Sequence, residues 1–223
     1  MNRRLLSILG FGVALSLLVP APAGAQDFSP KSSFDISDTK VSANPELSFH
    51  LEQDDGEEAI DVIVLKIPKG FDVPEDKDIA DGETLGSGEI TIDFGPGCET
   101  GTPGTVPLNL PVDLAERDRT EEESKAKAVW VVDIGMGLQA IDVIITGSET
   151  KGHTLTAQVA SEGSTPSAPT CAPFIFDLTV NQSAGDVEIW TNPSKPGSYT
   201  FQALFTSTEG KKKKISQKIT ITK

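Results

Sequence analysis

Along most of the chain, apolar and polar residues alternate with a period of two. That pattern commits the backbone to strands whose two faces meet different environments. In the clearest example Tyr199, Phe201, Ala203 and Phe205 share one face, with Thr200, Gln202 and Thr206 on the other. After a turn at Glu209-Gly210 the pattern resumes with Ile215, Ile219 and Ile221 in phase, so the stretch reads as a hairpin with a dry and a wet face. Phe174, Phe176, Leu178 and Val180 make another such strand, and residues 47–51, 89–94, 106–114 and 153–160 are further candidates. Residues 60–65, 129–132 and 141–145 are apolar on both faces, as expected of central strands covered on two sides. Gly, Pro, Asn and Asp punctuate the gaps at intervals of about 8–12 residues, the spacing of a sandwich or barrel.

One segment carries a helical signal. Thr120-Glu121-Glu122-Glu123 has the capping-box pattern and is followed by Ser124-Lys125-Ala126-Lys127-Ala128, with acids leading and lysines following. It lacks an apolar stripe, so a short exposed helix between two strands is expected. Residues 59–64 and 140–145 match at five of six positions, but the flanks do not extend the match. Whole-unit repeats would. The expectation is one domain over residues 26–223, the alternative being two smaller β-domains divided near residues 115–127.

Residues 1–25 read as a secretory signal: Arg3 and Arg4, an apolar run over residues 5–19, then Ala23-Gly24-Ala25 as the cleavage site. Fifteen or so apolar residues fall short of the roughly 20 that span a bilayer, and no second long run exists. The protein is therefore expected to be secreted or held at the cell envelope, without a transmembrane segment once cleaved after Ala25. Cleavage removes two arginines and no acid, moving the formal charge from −14 to −16. A chain this acidic is not built to embrace nucleic-acid phosphates. Export also bears on Cys98 and Cys171, the only cysteines. In an oxidising compartment one disulfide is expected, two buried thiols being the alternative. Both sit among prolines and glycines with no neighbouring histidine, which argues against a catalytic thiol.

Candidates for chemistry are few. His50 and His153, the only histidines, each alternate within strand-like runs, and no nucleophile elbow, phosphate loop or zinc-binding pair of histidines occurs. No catalytic residue is assigned and no cofactor is expected, with calcium kept as a possibility. Residues 52–61, 72–83 and 113–123 hold 18 of the 33 acids. Within the second stretch Asp76, Asp78 and Asp81 come nearest to a calcium loop, although their spacing departs from the EF-hand and a lysine separates the first two. The competing reading is a set of solvated loops that keep an exported protein soluble. Lys211 to Lys214 form the one basic cluster, read as a hairpin shoulder that discourages edge pairing or as a contact for an anionic envelope polymer. In Val187-Glu188-Ile189-Trp190 the alternation places Trp190 opposite Ile189. If Ile189 faces the core, Trp190 stands outward beside Glu188 and Asn192 as a platform for a sugar ring or a partner's apolar anchor.

The stretch from Asn192-Pro193-Ser194-Lys195-Pro196-Gly197-Ser198-Tyr199 through Phe201 and Phe205 to Gly210 resembles the closing hairpin of immunoglobulin-like β-sandwich domains in exported bacterial proteins. Pro45-Glu46-Leu47-Ser48-Phe49, with Ile67-Pro68-Lys69-Gly70-Phe71 after a strand, resembles the opening of secreted actinobacterial sandwich proteins of unknown role. Tyr199 matches the tyrosine-corner position, but Phe201 stands where such domains carry a cysteine. The resemblance implies a fold rather than an activity. The expected structure is an antiparallel, immunoglobulin-like or Greek-key β-sandwich of about 11 strands, with one short helix and one disulfide. The expected role is a non-catalytic structural or binding module of the envelope or extracellular space, with an envelope protein or glycan as partner. A secreted glycan-active enzyme or carbohydrate-binding domain is the alternative, to be recognised by two carboxylates facing each other across a groove.

Overall fold

The computed structural model describes residues 27–54, 57–92, 108–135, 140–159 and 174–223. The expected signal segment and both cysteines lie outside the described residues. Thirteen strands appear among them: β1 (Lys31–Ile36), β2 (Leu47–Gln53), β3 (Ile60–Ile67), β4 (Thr84–Ile92), β5 (Leu108–Arg117), β6 (Ala128–Asp133), β7 (Ile141–Ser148), β8 (Gly152–Gln158), β9 (Phe174–Val180), β10 (Ser183–Ala184), β11 (Val187–Glu188), β12 (Gly197–Ser207) and β13 (Lys212–Ile221). The all-β, antiparallel character read from the alternation is what the structure shows. The arrangement of the strands differs from the two packed sheets expected.

Eleven strands join one continuous sheet in the order β1-β2-β9-β4-β5-β6-β7-β8-β3-β12-β13, and only β10 and β11 pair apart. Every neighbouring pair is antiparallel. The sheet rolls up until its two ends meet, so a nearly closed barrel replaces the sandwich. With an odd number of strands, the end strands β1 and β13 must run in the same direction. Their seam is therefore parallel, a pairing with slanted and slightly weaker bonds. Among the described residues it is held by one parallel bridge, Lys40 with Thr222, and by side chains of which Gln217 makes two bonds. Gln217 accepts from the Phe34 amide at 2.9 Å and donates to the Phe34 carbonyl at 2.5 Å. A side-chain amide thus stands in for a missing strand partner. Gln217→Ala leaves both groups of Phe34 open. The expected result is a loss of about 1–3 kcal/mol in denaturant unfolding and faster hydrogen exchange at the Phe34 amide. Unchanged exchange at Phe34 would show that the seam is held otherwise.

Rolling one sheet changes what the doubly apolar strands are for. Ile63 and Leu65 of β3 point inward, whereas Val62 and Val64 lie half-buried on the outer face, and no second large sheet occurs among the described residues. The expected burial on both faces does not occur in β3. Strands on either side of residues 115–127 belong to the same sheet, paired directly by β5 and β6.

The expected helix is absent. Residues 121–125 form bends and turns, and the only helical element among the described residues is a 3-10 turn at Asp76–Asp78. The capping interaction does form, since the Thr120 amide donates to Glu123 Oε2 at 2.8 Å. Arg117 also holds the Glu123 carboxylate at 2.7 Å and draws its pKa down to about 2. One capped turn without an apolar stripe does not repay helix nucleation, so it stops there.

One end of the barrel is plugged by its own connections. Phe71, Val73 and Ile79 arrive from the β3–β4 crossover, and Ile189 and Trp190 from the approach to β12. Phe71 packs against Trp190 at 5.5 Å and Phe201 at 5.0 Å, and Phe34 stacks on Phe201 at 4.8 Å. Tyr199 donates its hydroxyl to the Lys195 carbonyl at 2.7 Å, pinning the entry to β12. Gly70 turns there with φ of 101°, and a Cβ at that position would meet Pro193 at 3.1 Å. At the opposite end, the buried Glu58 receives Ser207 and Lys211 from the β12–β13 hairpin. Lys213 donates to Ser29 Oγ at 3.1 Å. The basic cluster therefore begins at the turn leading into the terminal strand of the sheet.

Candidate functional site

The period-two pattern sends alternate residues of each strand into the barrel. On β5 these are Leu110, Val112, Leu114 and Glu116; on β8 they are His153, Leu155 and Ala157; on β2 they are Leu47, Phe49 and Leu51. Eleven strands enclose more width than these side chains fill. An interior cavity of about 310 Å³ remains, bounded by aromatic and aliphatic residues of β1 to β9 together with Trp190. All 21 described residues around it are Phe, Trp, Leu, Ile, Val or Ala, so the lining supplies no charge, hydroxyl or amide.

Exposure varies around the lining. Trp190, Leu114, Leu47 and Trp130, with Leu51 and Ile60 nearer the other end, are 1–4% exposed. Ile63, Leu65, Val143, Leu155, Ala157 and Phe176 are only half-buried, although they face inward. Inward-facing apolar side chains that keep contact with solvent are the mark of an unfilled interior rather than a close-packed core.

No protein-family model matches the chain, and no match is found among curated proteins. The lining itself carries the chemical reading. A cavity without polar partners favours apolar ligand groups, because a buried polar group left unpaired is expensive. The volume falls within the range of small-molecule sites.

Of the residues singled out from sequence, only Trp190 borders the cavity. Trp190 is not an exposed platform; it is 1% exposed and forms part of the cavity floor. Strand β11 ends at Glu188, so alternation no longer governs the next residues, and Ile189 and Trp190 are both buried. Asn192 is buried too, donating from Nδ2 to the carbonyls of Asp38 and Lys40 at 2.8 and 2.9 Å. Glu188 alone of the three is exposed. It lines a shallow outer groove with Asp72, Asp78 and Asp186.

Asp76, Asp78 and Asp81 do not converge as ligands. Asp76 pairs with Arg119 at 3.0 Å, Asp78 caps the Glu75 amide at 3.1 Å, and Asp81 accepts from the Asp118 amide at 3.2 Å. No group of three His, Cys, Asp or Glu side chains among the described residues is placed to hold a metal ion. Two of the acidic stretches meet at the plugged end, where the Gly82 amide bonds to the Glu116 carbonyl and the Glu116 amide to that of Glu83. The third stretch lies at the other end of the barrel.

His50 pairs with Asp177 at 2.7 Å across strands on the exposed face. His153 is 1% exposed, and burial followed by the nearby Lys127 charge lowers its pKa. Sequence reasoning missed Glu116. It is 2% exposed and both carboxylate oxygens lack a hydrogen-bond partner. Burial, reinforced by the neighbouring Asp76 charge, pushes its pKa up to about 8. Glu116 follows Leu114 on the inward face of β5, opposite Trp130 of β6.

Proposed function

We propose that this chain is an exported, non-catalytic binding module whose ligand site is the apolar interior of its barrel. The cavity is the observation that carries this reading: about 310 Å³ bordered by 21 described residues, all apolar, several of them only half-buried although they face inward. The described lining residues offer no nucleophile, acid or base, which favours holding a molecule over transforming it. Export rests on the signal in residues 1–25. Among the described residues, no helix is long and apolar enough to cross a membrane. A glycan-active role would have to draw on the outer groove of Asp72, Asp78, Asp186 and Glu188, and it loses its stacking residue now that Trp190 is in the core.

The test uses N-phenylnaphthylamine, a neutral fluorophore that brightens in apolar surroundings. The expected result is saturable binding at one site per chain. Ala157 faces the void between Val143 and Ile63, so Ala157→Trp fills it. That variant should keep its strand-type circular dichroism and melting temperature while losing the fluorescence response. An unchanged response in the folded variant would place the dye elsewhere and sink the proposal.

The expected disulfide belongs to the same reading. Ile92 and Phe174 are register partners on adjacent strands. Cys98 follows the first by six residues and Cys171 precedes the second by three, so each cysteine is close in sequence to one member of that pair. The bridge would close a loop of about 73 residues, for which chain entropy gives roughly 4 kcal/mol. Thiol titration of denatured, unreduced protein should find no free thiol, and reduction should lower the melting temperature. Two titratable thiols would refute the bridge.

A further inference from the structure

The outer wall of the barrel is divided by charge. Strands β13, β12 and β3 lie side by side, and their outward residues line up in four successive rows. Each row carries one lysine, in turn Lys212, Lys214, Lys66 and Lys218, and no row carries an acid. At two residues per row the lysines extend over about 20 Å. All four are exposed, and none holds an ion pair among the described residues. By contrast Lys31, Arg117, Arg119 and Lys127 each hold a carboxylate at 2.7–3.1 Å. Register also splits the basic cluster. Lys211 and Lys213 turn to Glu58 and Ser29, while Lys212 and Lys214 are left outside. The one acid of β3, Asp61, accepts from Gln158 Nε2 at 2.6 Å.

The formal charge of −14 opposes contact with anything anionic, but distance decides by how much. Strands β4 and β5, with Glu89 and Asp113 on their outer face, stand five places from β12 in either direction around the ring. Eleven strands close into a ring about 20 Å across. Charge is screened over about 8 Å at physiological salt, so a surface meeting β12 feels the lysines and not the acids behind them. Among the lysines stand Val62, Val64 and Leu204, half-buried and aliphatic. A single charged polymer would call for lysines in file, whereas Lys66 lies two strands from the other three. Charge spread in two dimensions, with aliphatic side chains between, suits a layer of mobile anionic head groups. We propose that this face docks the protein on an anionic lipid surface, with β12 at the centre of the contact. The face lies outside the cavity, so its role stands apart from whatever the interior holds.

Protein purified after export is mixed with sedimentable vesicles of phosphatidylglycerol and phosphatidylcholine in equal parts, and separately with vesicles of phosphatidylcholine alone. At about 0.1 M salt it should sediment with the anionic vesicles only, and at about 1 M salt, where screening shortens to about 3 Å, with neither. A lysine near such a surface is worth about five-fold in partition, so the triple variant Lys212→Gln, Lys214→Gln, Lys218→Gln should lose on the order of 100-fold. Its melting temperature should not change, because these side chains hold no partner among the described residues. A second triple variant, Lys125→Gln, Lys151→Gln, Lys195→Gln, removes the same charge from exposed turns off the face. It should bind within about three-fold of the native protein. Equal losses in the two triples overturn the face and leave net charge alone. Native protein that ignores the anionic vesicles, or that sediments as well with the neutral ones, overturns the docking. Retention on immobilised polyphosphate without vesicle binding overturns the lipid and assigns the lysines to a polymer.

Discussion

Glu116→Gln should make the protein more stable at pH 8 and flatten its stability over the range from pH 6.5 to 8. The carboxyl sits 2% exposed with both oxygens unpartnered. Its pKa is about 8, against 4.5 for the free side chain, because burial and then the Asp76 charge oppose ionisation. The folded state thus keeps a proton that the unfolded chain has released. Stability is full below about pH 4.5 and declines as pH rises toward 8. Each pH unit inside that window corresponds to about 1.4 kcal/mol, so pH 6.5 to 8 should cost the native protein about 2 kcal/mol. Glutamine removes the titration and keeps an amide that can face Asp76, whose Oδ1 is also buried without a partner. His153 works in the opposite direction and at lower pH. Its pKa is depressed by burial, so the unfolded chain takes up a proton that the folded one refuses below about pH 6.5. Glu57 is also raised, mainly by burial, so its contribution to stability has the same sign as that of Glu116. Denaturant unfolding of both proteins at pH 6.5, 7.25 and 8 separates the effects (three settings chosen at roughly equal steps across the window). Parallel slopes would mean that Glu116 ionises freely in the folded state.

Trp190→Ala should unfold the plugged end, with a loss of about 3–5 kcal/mol. The indole is 1% exposed, lies 5.5 Å from the ring of Phe71 and 6.2 Å from that of Phe34, and belongs to the main core cluster. Removing it joins a new void to the existing cavity and deprives both phenylalanines of a neighbour. For a domain of this size the loss should lower the melting temperature by roughly 6–20 °C. A variant with native stability and altered binding would restore the exposed platform suggested by alternation, so the experiment decides between two opposite placements of one residue. Trp190→Phe, which keeps an aromatic ring at the floor, should recover most of the loss.

The strands were legible because each has one dry face. Residues 47–51, 174–180 and 199–206 largely alternate, broken only at Ile175 and Leu204, and they fall within β2, β9 and β12. Strand β1 was not, since Lys31-Ser32-Ser33-Phe34-Asp35-Ile36 has only two apolar residues and depends on β2 for its partner. Alternation tells which residues share a face but not how many strands share a sheet. The sandwich and the barrel therefore read alike until the pairing of β5 with β6 and the seam of β1 with β13 are seen. Trp190 was misplaced by carrying the period past the end of a two-residue strand. Glu116 did leave a signal, because it continues the inward phase of Leu110, Val112 and Leu114. The void is not written in any motif, for it is the difference between the barrel's circumference and the bulk of the side chains within it.

The glutamine that fastens the seam lies 183 positions from the backbone it grips. Every neighbouring pair in the large sheet except β12 with β13 can form before β13 exists, but the seam cannot close until the final ten-residue strand has been made and has reached β1. Folding of this chain should thus end rather than begin with the long-range contacts of this seam, and such contacts form slowly. Until then the sheet is an open trough whose oily side is available to any greasy surface nearby. A half-made molecule would meet such surfaces more readily than the finished one.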